Sequence, residues 1–131
     1  GIAYKEYAIA DTNEVQSVTT AAAGECDVLY IPTDNTLASV TETVYNVVAP
    51  AKVPVIAGEE GICNGCGVAT LSISYYDLGY ATGEMAYEIL AEGADITTMD
   101  VRYAPNVTKK YNAKICEELG ITVPDDYVAI Q

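Results

Sequence analysis

V-L-Y-I-P-T-D-N-T, residues 28–36, is the stretch of sequence that decides the fold. Its first four residues are apolar and β-prone, too few for a helix and followed by a proline, which predicts a strand buried on both faces. The proline has no N–H for a sheet ladder and ends the strand. Thr33, Asp34 and Asn35 then offer side-chain oxygens that can cap a helix predicted over residues 35–48. A strand that delivers polar residues to a helix N-terminus is typical of a ligand-binding corner in an open α/β sheet.

Length and composition indicate one globular domain. Half of the 131 residues are hydrophobic and 19% are charged, and a chain of this length buries roughly two-thirds of its unfolded surface. Lys and Arg total 6 against 19 Asp and Glu, which gives a net charge of −13. Such a surface repels phosphate backbones and anionic lipid headgroups, which disfavours nucleic-acid and membrane-surface roles. The absence of histidine removes the commonest general base and the commonest zinc ligand.

No stretch has the length of a membrane span, and no signal peptide is recognisable. The chain opens on glycine instead of methionine. We therefore interpret it as an excised or processed piece of a longer protein.

Hydrophobic periodicity and turn residues predict alternating strands and helices. The predicted strands cover residues 7–10, 28–31, 53–57, 68–73 and 99–103, and the predicted helices cover 13–23, 35–48, 75–92 and 108–119. Capping boxes are expected at 11–14 and 74–77, a loop at 61–67, and close packing around two helical glycines, Gly79 and Gly83. This alternation predicts an α/β fold with a mostly parallel sheet and helices on both faces.

Cys63 and Cys66 form a C-x-x-C pair, which raises the question of redox or metal chemistry. A thioredoxin-type pair needs a helix directly behind it, whereas the residues after Cys66 indicate a strand. A four-cysteine zinc site needs a second pair, but Cys26 and Cys116 stand singly and are expected as buried thiols. In an oxidising compartment, Cys63 and Cys66 can form a disulfide that pins the loop of residues 61–67.

The acidic residues that follow the predicted strands favour recognition over catalysis. Glu59 and Glu60 are adjacent on an extended loop and so point apart, whereas the paired carboxylates of glycosidases face each other. The chain has no G-x-S-x-G, no G-x-G-x-x-G and no Walker lysine-serine, so neither a hydrolase nor a nucleotide cofactor is expected. One carboxylate accepting a ligand's ammonium is the functional interpretation, against a solvated loop at Glu59 or a simple helix cap at Asp34.

Four stretches resemble the ABC-transporter substrate-binding proteins of the tryptophan/phenylalanine-binding type. They are I-P-T-D-N-T (31–36), P-V-I-A-G-E-E (54–60), G-V-A-T-L-S-I-S-Y-Y-D-L-G-Y-A-T-G-E-M-A (67–86) and L-G-I-T-V-P (119–124), and the similarity extends from residue 7 to residue 124. The resemblance implies a type I periplasmic-binding fold, in which two α/β lobes close on a small solute, notably an aromatic amino acid. It also implies a non-enzymatic lipoprotein outside the membrane that delivers solute to the permease of an ABC importer.

By the same resemblance, residues 1–131 form a single lobe, the C-terminal part of a two-lobe protein. Residues 67–92 would be the strand and helix that cross to the missing lobe. The apolar face of that helix, Leu78, Met85 and Ile89, would then lack its usual cover. We expect it to pack differently or to exchange between two copies in a homodimer.

The resemblance also supplies candidate ligand-binding residues, all of them polar or aromatic and placed at strand ends. They are Thr33, Asp34 and Asn35 at the first corner, Glu59 and Glu60 at the second, and Tyr75, Tyr76 and Asp77 at the crossover. An acid from this lobe would bind the ligand's ammonium, with Asp34 favoured, and the other lobe would bind its carboxylate. A tyrosine would stack on an aromatic ligand.

Two other functions stay open at this point. The same lobe architecture serves ligand-sensing regulators, although no DNA-binding headpiece is visible in these residues. A small redox protein using Cys63 and Cys66 would show an exposed pair of low-pKa thiols on titration.

Overall fold

The computed structural model describes residues 1–131 as six α-helices, one 3₁₀ helix and five strands. In chain order they are α1 (Val15–Ala23), β1 (Leu29–Ile31), α2 (Asn35–Ala38), α3 (Thr41–Ala51), β2 (Val55–Ala57), α4 (Glu60–Cys66), β3 (Ala69–Ile73), α5 (Tyr75–Leu90), the 3₁₀ helix (Ile96–Thr98), β4 (Val107–Tyr111), α6 (Ala113–Leu119) and β5 (Val128–Ala129). The strands form one sheet in the order β1-β2-β3-β4-β5, with β1 and β2, β2 and β3, and β4 and β5 parallel. The predicted α/β class with a mostly parallel sheet is confirmed. None of the helices combines the length and apolar character that a membrane span requires.

The main core lies between one face of the sheet and three helices. Its buried residues come from α1 (Val15), α3 (Val44, Val48), α4 (Ile62, Cys63, Cys66) and the strands β1 and β2 (Ile31, Val55, Ala57). A smaller cluster joins Val68 to Ile115 and Cys116 of α6. The helices that follow β1 and β2 are therefore held by their apolar faces, which is what the hydrophobic spacing predicts.

The opposite face of the sheet is partly bare. Tyr30 is 68% exposed and pairs with Ile56, which is 38% exposed. Leu71 points to the same side, because Ile56 pairs with Ala69 and alternate residues of a strand share a face, and it is 57% exposed. The prediction that the first strand of the sheet is buried on both faces is therefore wrong: only Ile31 and, in part, Leu29 pack into the core.

The chain divides into two compact units. The first comprises Gly1–Leu71 with Lys109–Gln131, and the second comprises Ser72–Thr108. Within the second unit, α5 has no buried residue, and the Arg102 guanidinium donates to both carboxylate oxygens of Glu88 at 2.7 and 2.6 Å.

Two predicted strands are wrong. Residues 7–10 pair with no strand. The Tyr7 hydroxyl donates to Glu25, the Ala10 N–H donates to Glu14, and only Ile9 packs against the main core. Residues 99–103 also lie outside the sheet. The strand forms instead at Val107–Tyr111 and overlaps the start of the helix predicted over residues 108–119.

Two helix predictions also need correction. The helix predicted over residues 35–48 is two helices, because Val40 leaves the helical region (φ −135°, ψ 32°) and packs against the main core. The loop predicted over residues 61–67 is mostly helix α4, since the Glu59 side chain supplies the acceptors that its first amides need. At the first capping box, Asp11 accepts from Asn13 and Glu14 from Ala10, so each bond is shifted by one residue from the expected pattern.

Candidate functional site

The carboxyl ends of β1 and β2 meet at one corner of the sheet. The last residues of the two strands, Ile31 and Ala57, are paired. The Gly58 N–H donates to Ile31 O at 2.7 Å, and the Thr33 hydroxyl donates to Gly58 O at 3.2 Å. A Cβ at Gly58 would lie 2.6 Å from Thr33 N and 2.9 Å from the carbonyl carbon of Pro32. Because both of these are backbone atoms, only glycine allows the two loops to approach so closely.

Asp34 stands at this corner with one carboxylate oxygen bonded and the other available. Its Oδ1 accepts from Leu37 N at 2.8 Å, which caps α2. No residue of the chain donates to Oδ2, and the side chain is half-buried. Asn35 is the exposed first residue of α2. The helix cap, considered above as an alternative to binding, is therefore present, and it holds the carboxylate in place through Oδ1 alone.

Glu59 and Glu60 are both engaged within the chain. Both oxygens of Glu59 cap α4, with Oε2 accepting from Gly61 N at 2.8 Å and Oε1 accepting from Ile62 N. The Glu60 carboxylate pairs with Lys110 Nζ at 2.6 Å. The two side chains are bound by different partners, so neither forms an acid–base pair with the other. Of the three predicted acids in the first unit, Glu59 accepts at both oxygens and Glu60 is ion-paired, whereas Asp34 accepts at Oδ1 alone and forms no ion pair.

The remaining predicted residues lie in the second unit, at the start of α5. The Ser74 hydroxyl accepts from Asp77 N at 3.1 Å, and Asp77 Oδ2 accepts from the Asn106 amide at 3.3 Å. Tyr75 is 60% exposed and Tyr76 is 80% exposed. Both rings thus offer an aromatic face, and Asp77 is held as part of the helix start.

The exposed face of α5 differs from the one that the sequence predicted. Leu78, Met85 and Ile89, expected to lack cover, are half-buried. The open face instead carries bulky tyrosines and a leucine around two glycines: Tyr76, Gly79, Tyr80, Gly83, Tyr87 and Leu90. An added Cβ at either glycine would meet nothing within 4 Å, so the prediction that they pack closely is wrong.

The cysteines are free thiols in this structure. Cys63 and Cys66 are buried on α4, and burial raises the pKa of each to about 12. Burial also raises the pKa of Cys116, and Cys26 is half-buried. No three acidic or cysteine side chains come together in an arrangement that could hold a metal ion. A disulfide between Cys63 and Cys66 stays a prediction.

Sequence reasoning missed two residues that contact helix α4. Lys110 falls within the helix predicted over residues 108–119, yet it lies in β4 and pairs with Glu60. Asn112 caps α6 and also donates to the last turn of α4. Neither contact has a sequence signal, because each joins residues about fifty positions apart.

A parallel α/β sheet that collects polar side chains at neighbouring carboxyl ends has the architecture of a small-molecule-binding domain. The chain matches the family described as "ABC transporter substrate binding protein" over residues 1–130. It therefore belongs to the ABC transporter substrate-binding protein family.

Three similar proteins agree with this assignment. A tyrosine-binding protein of Clostridioides difficile (strain R20291) is 39% identical over 100 residues, which are 72% of this chain and 29% of that protein. A Streptococcus pneumonia ABC domain solved in complex with L-Trp has a TM-score of 0.81 at 33% identity, covering 95% of this chain and 42% of that one. A ligand-free, open substrate-binding protein with adhesive properties from Clostridium difficile has a TM-score of 0.69 at 36% identity, covering 94% and 43%. The chain thus spans less than half the length of these relatives.

Proposed function

We propose that residues 1–131 act as one lobe of the extracytoplasmic, non-enzymatic solute-binding component of an ABC importer. We further propose that the solute is an amino acid, with an aromatic amino acid as the favoured candidate. The observation that carries this proposal is the half-buried Asp34 carboxylate, which keeps Oδ2 without an internal donor at the corner where β1 and β2 end. A charge-assisted hydrogen bond from a ligand's ammonium to such an oxygen is stronger than one between neutral groups.

The relatives support the ligand class. One is a tyrosine-binding protein and another was solved with L-Trp. Tyr75 and Tyr76 offer exposed rings on which an aromatic side chain can stack. Thr33 and Asn35 flank Asp34, while Glu59 and Glu60 shape the adjoining loop.

The chain covers 42% and 43% of the two solved relatives described above. We propose that the ligand's carboxylate is bound by the rest of a two-lobe protein, which closes by a hinge motion of the kind seen in periplasmic binding proteins. Residues 67–92 would then cross to the second lobe, and residues 1–131 alone would bind weakly or not at all. Membrane tethering as a lipoprotein and delivery to a permease belong to the same proposal.

Calorimetric titration of the full-length parent with the twenty amino acids tests the assignment. The most informative variant is Asp34→Asn, because it keeps an Oδ1 acceptor for Leu37 N and replaces the charged Oδ2 acceptor by an amide NH2 donor. We expect it to weaken binding of tyrosine or tryptophan by about 10- to 100-fold, the usual effect of losing a charged partner of 1.5–3 kcal/mol. Asp95→Asn is the matched control, since Asp95 also caps a helical turn through Oδ1.

Two outcomes contradict the proposal in different ways. If no amino acid binds the parent, the family assignment stands but the ligand class is wrong. If Asp34→Asn binds as tightly as the wild type, the ammonium site lies elsewhere.

The homodimer expected of the chain alone is a separate proposal. It is supported by α5, which has no buried residue along sixteen positions. Sedimentation velocity over a wide concentration range tests it, and a monomer at the highest concentration would contradict it. Of the other functions, the redox protein is disfavoured by the burial of Cys63 and Cys66, and no observation favours the regulator lobe.

A further inference from the structure

We propose that Lys110 and Asn112 are positioning residues that hold α4 at both ends and so keep the Gly58–Glu60 loop in its binding geometry. The structural half of the proposal, that these two residues fix the position of α4, rests on contacts within the first unit only. The half that concerns ligand affinity rests on the proposed function.

Lys110 holds the first turn of α4. Its Nζ lies 2.6 Å from Glu60 Oε2, and the two side chains are 28% and 39% exposed. The neighbouring Lys109 pairs with Asp126, and there the side chains are 48% and 58% exposed. Ion pairs that are less solvated are also less screened. The two lysines are therefore consecutive in sequence but differ in how firmly each holds its partner.

Asn112 holds the last turn of α4. Its Nδ2 donates to Asn64 O at 2.9 Å and to Cys63 O at 3.3 Å. Its Oδ1 accepts from Ile115 N at 3.1 Å, which caps α6 and fixes which way the amide points. The side chain is buried, so no water replaces these bonds without a rearrangement. The carbonyls at a helix end have no partner within the helix, and here Asn112 supplies one.

Helix α4 is short, so its position depends on contacts outside the helix: its buried apolar face packs in the core, and Lys110 and Asn112 bind its two ends. A helix of seven residues is far below the length at which a helix is stable on its own in water. Its N-cap is Glu59, and Gly58 directly before it bonds to the first corner. The position of the Gly58–Glu60 loop against Thr33 therefore follows the position of α4, to which Lys110 and Asn112 contribute at the two helix ends.

Amide hydrogen exchange of the chain without ligand tests the structural half. The Gly61 and Ile62 N–H groups donate to Glu59 and report opening at the start of α4. We expect Lys110→Met to lower their protection about two- to fivefold, as expected when one partly exposed ion pair is lost. Lys109→Met, which changes the net charge equally, should leave them unchanged. The Val68 N–H, bonded to Val55 O at 2.7 Å, serves as the reference for global opening and should not change in either variant.

Two further variants test the charge of Lys110 and the amide donors of Asn112 separately. Lys110→Arg should restore protection because it keeps the charge at the Glu60 carboxylate. Asn112→Asp keeps the Oδ1-type acceptor for α6 but loses the donors to α4, so exchange should quicken at the last turn; if this variant fails to fold, the Lys110 series still decides. Equal protection of Gly61 and Ile62 in wild type and Lys110→Met would overturn the proposal.

Affinity in the full-length parent tests the binding half. Lys110→Met should weaken tyrosine or tryptophan binding about two- to fivefold, with Lys110→Arg and Lys109→Met close to wild type. Unchanged affinity in Lys110→Met would overturn this half. If exchange changes as expected while the wild-type parent binds no amino acid, the proposed function fails and the positioning role is supported on its own.

Discussion

Helices α4 and α5 show how little a helix's length says about how it is held. Helix α4 has seven residues, of which three are buried, and its ends are bonded to Lys110 and Asn112. Helix α5 has sixteen residues and none is buried. In isolation the longer helix is the more persistent one. In the fold, the shorter helix carries the core contacts and borders the candidate site.

The glycines around the two helices make the same contrast. A Cβ at Gly65 in α4 would lie 2.1 Å from Thr41 Oγ1, and one at Gly58 would overlap backbone atoms. Gly79 and Gly83 in α5 face open space. The same residue type thus marks close packing in one region and an uncovered surface in the other.

The largest expected difference between the two helices is the cost of removing an apolar side chain. Ile62 of α4 is fully buried, so Ile62→Ala should lower the free energy of unfolding by about 2–5 kcal/mol. Leu90 of α5 is 86% exposed, and Leu90→Ala should change it by less than about 0.5 kcal/mol. Urea denaturation of both variants measures the contrast. Similar losses would mean that α5 is buried in solution, through a second copy or otherwise.

Gly58→Ala tests the close approach at the strand ends. The added methyl has no space against Pro32 and Thr33, whose facing atoms are backbone. We expect a loss of about 1–3 kcal/mol in the free energy of unfolding, the range for overpacked sites. In the full-length parent, we also expect weaker ligand binding. A fully stable Gly58→Ala variant would show that the two loops separate easily.

The buried thiols of α4 predict a dependence on alkaline pH. Their folded-state pKa of about 12 lies above the ordinary value of 9.0, so between these values the unfolded state loses protons that the folded state retains. The stability that this provides is complete below pH 9 and is lost as the pH rises towards 12. The slope is at most about 1.4 kcal/mol per pH unit for each thiol.

Urea denaturation between pH 8 and 11 measures that slope. Tyrosines and lysines also titrate in this pH range. The control is therefore a double variant, Cys63→Ala with Cys66→Ala, which keeps all tyrosines and lysines and lacks only the two thiols. Its stability should fall less steeply with pH than that of the wild type. Parallel curves would contradict the assignment of the effect to these thiols.

The smallest expected effect is a gain in stability in α5. Gly83→Ala should raise the free energy of unfolding by about 0.5–1 kcal/mol, because alanine is the better helix former and its methyl meets no neighbour. Thermal denaturation followed by circular dichroism measures it. A loss of stability would indicate that another surface approaches Gly83 in solution. Sedimentation of the wild type and of Gly83→Ala would then show whether that surface belongs to a second copy of the chain.

Local signals predicted a large part of this structure. Three residues correctly indicated where elements begin or end, because each acts on the backbone beside it. They are Pro32 after the first strand, Asp34 before a helix and Gly120 after a helix. The same signals failed where a distant group decided the outcome. Residues 7–10 have the composition of a strand but no neighbour to pair with, and the glycines of α4 indicated a loop although Glu59 caps a helix there.

By itself, then, the sequence determined the α/β class, the strand-end corner at Thr33–Asn35 and the resemblance to solute-binding proteins, because periodicity, caps and turn residues are local properties. Only the tertiary structure decided which of the three candidate carboxylates is ion-paired. Asp34 and Glu59 each cap the helix directly behind them, which is a local contact, whereas Glu60 pairs with Lys110. The ion pair with Lys110 joins residues fifty positions apart, and such a contact exists only once the sheet has brought β4 beside α4.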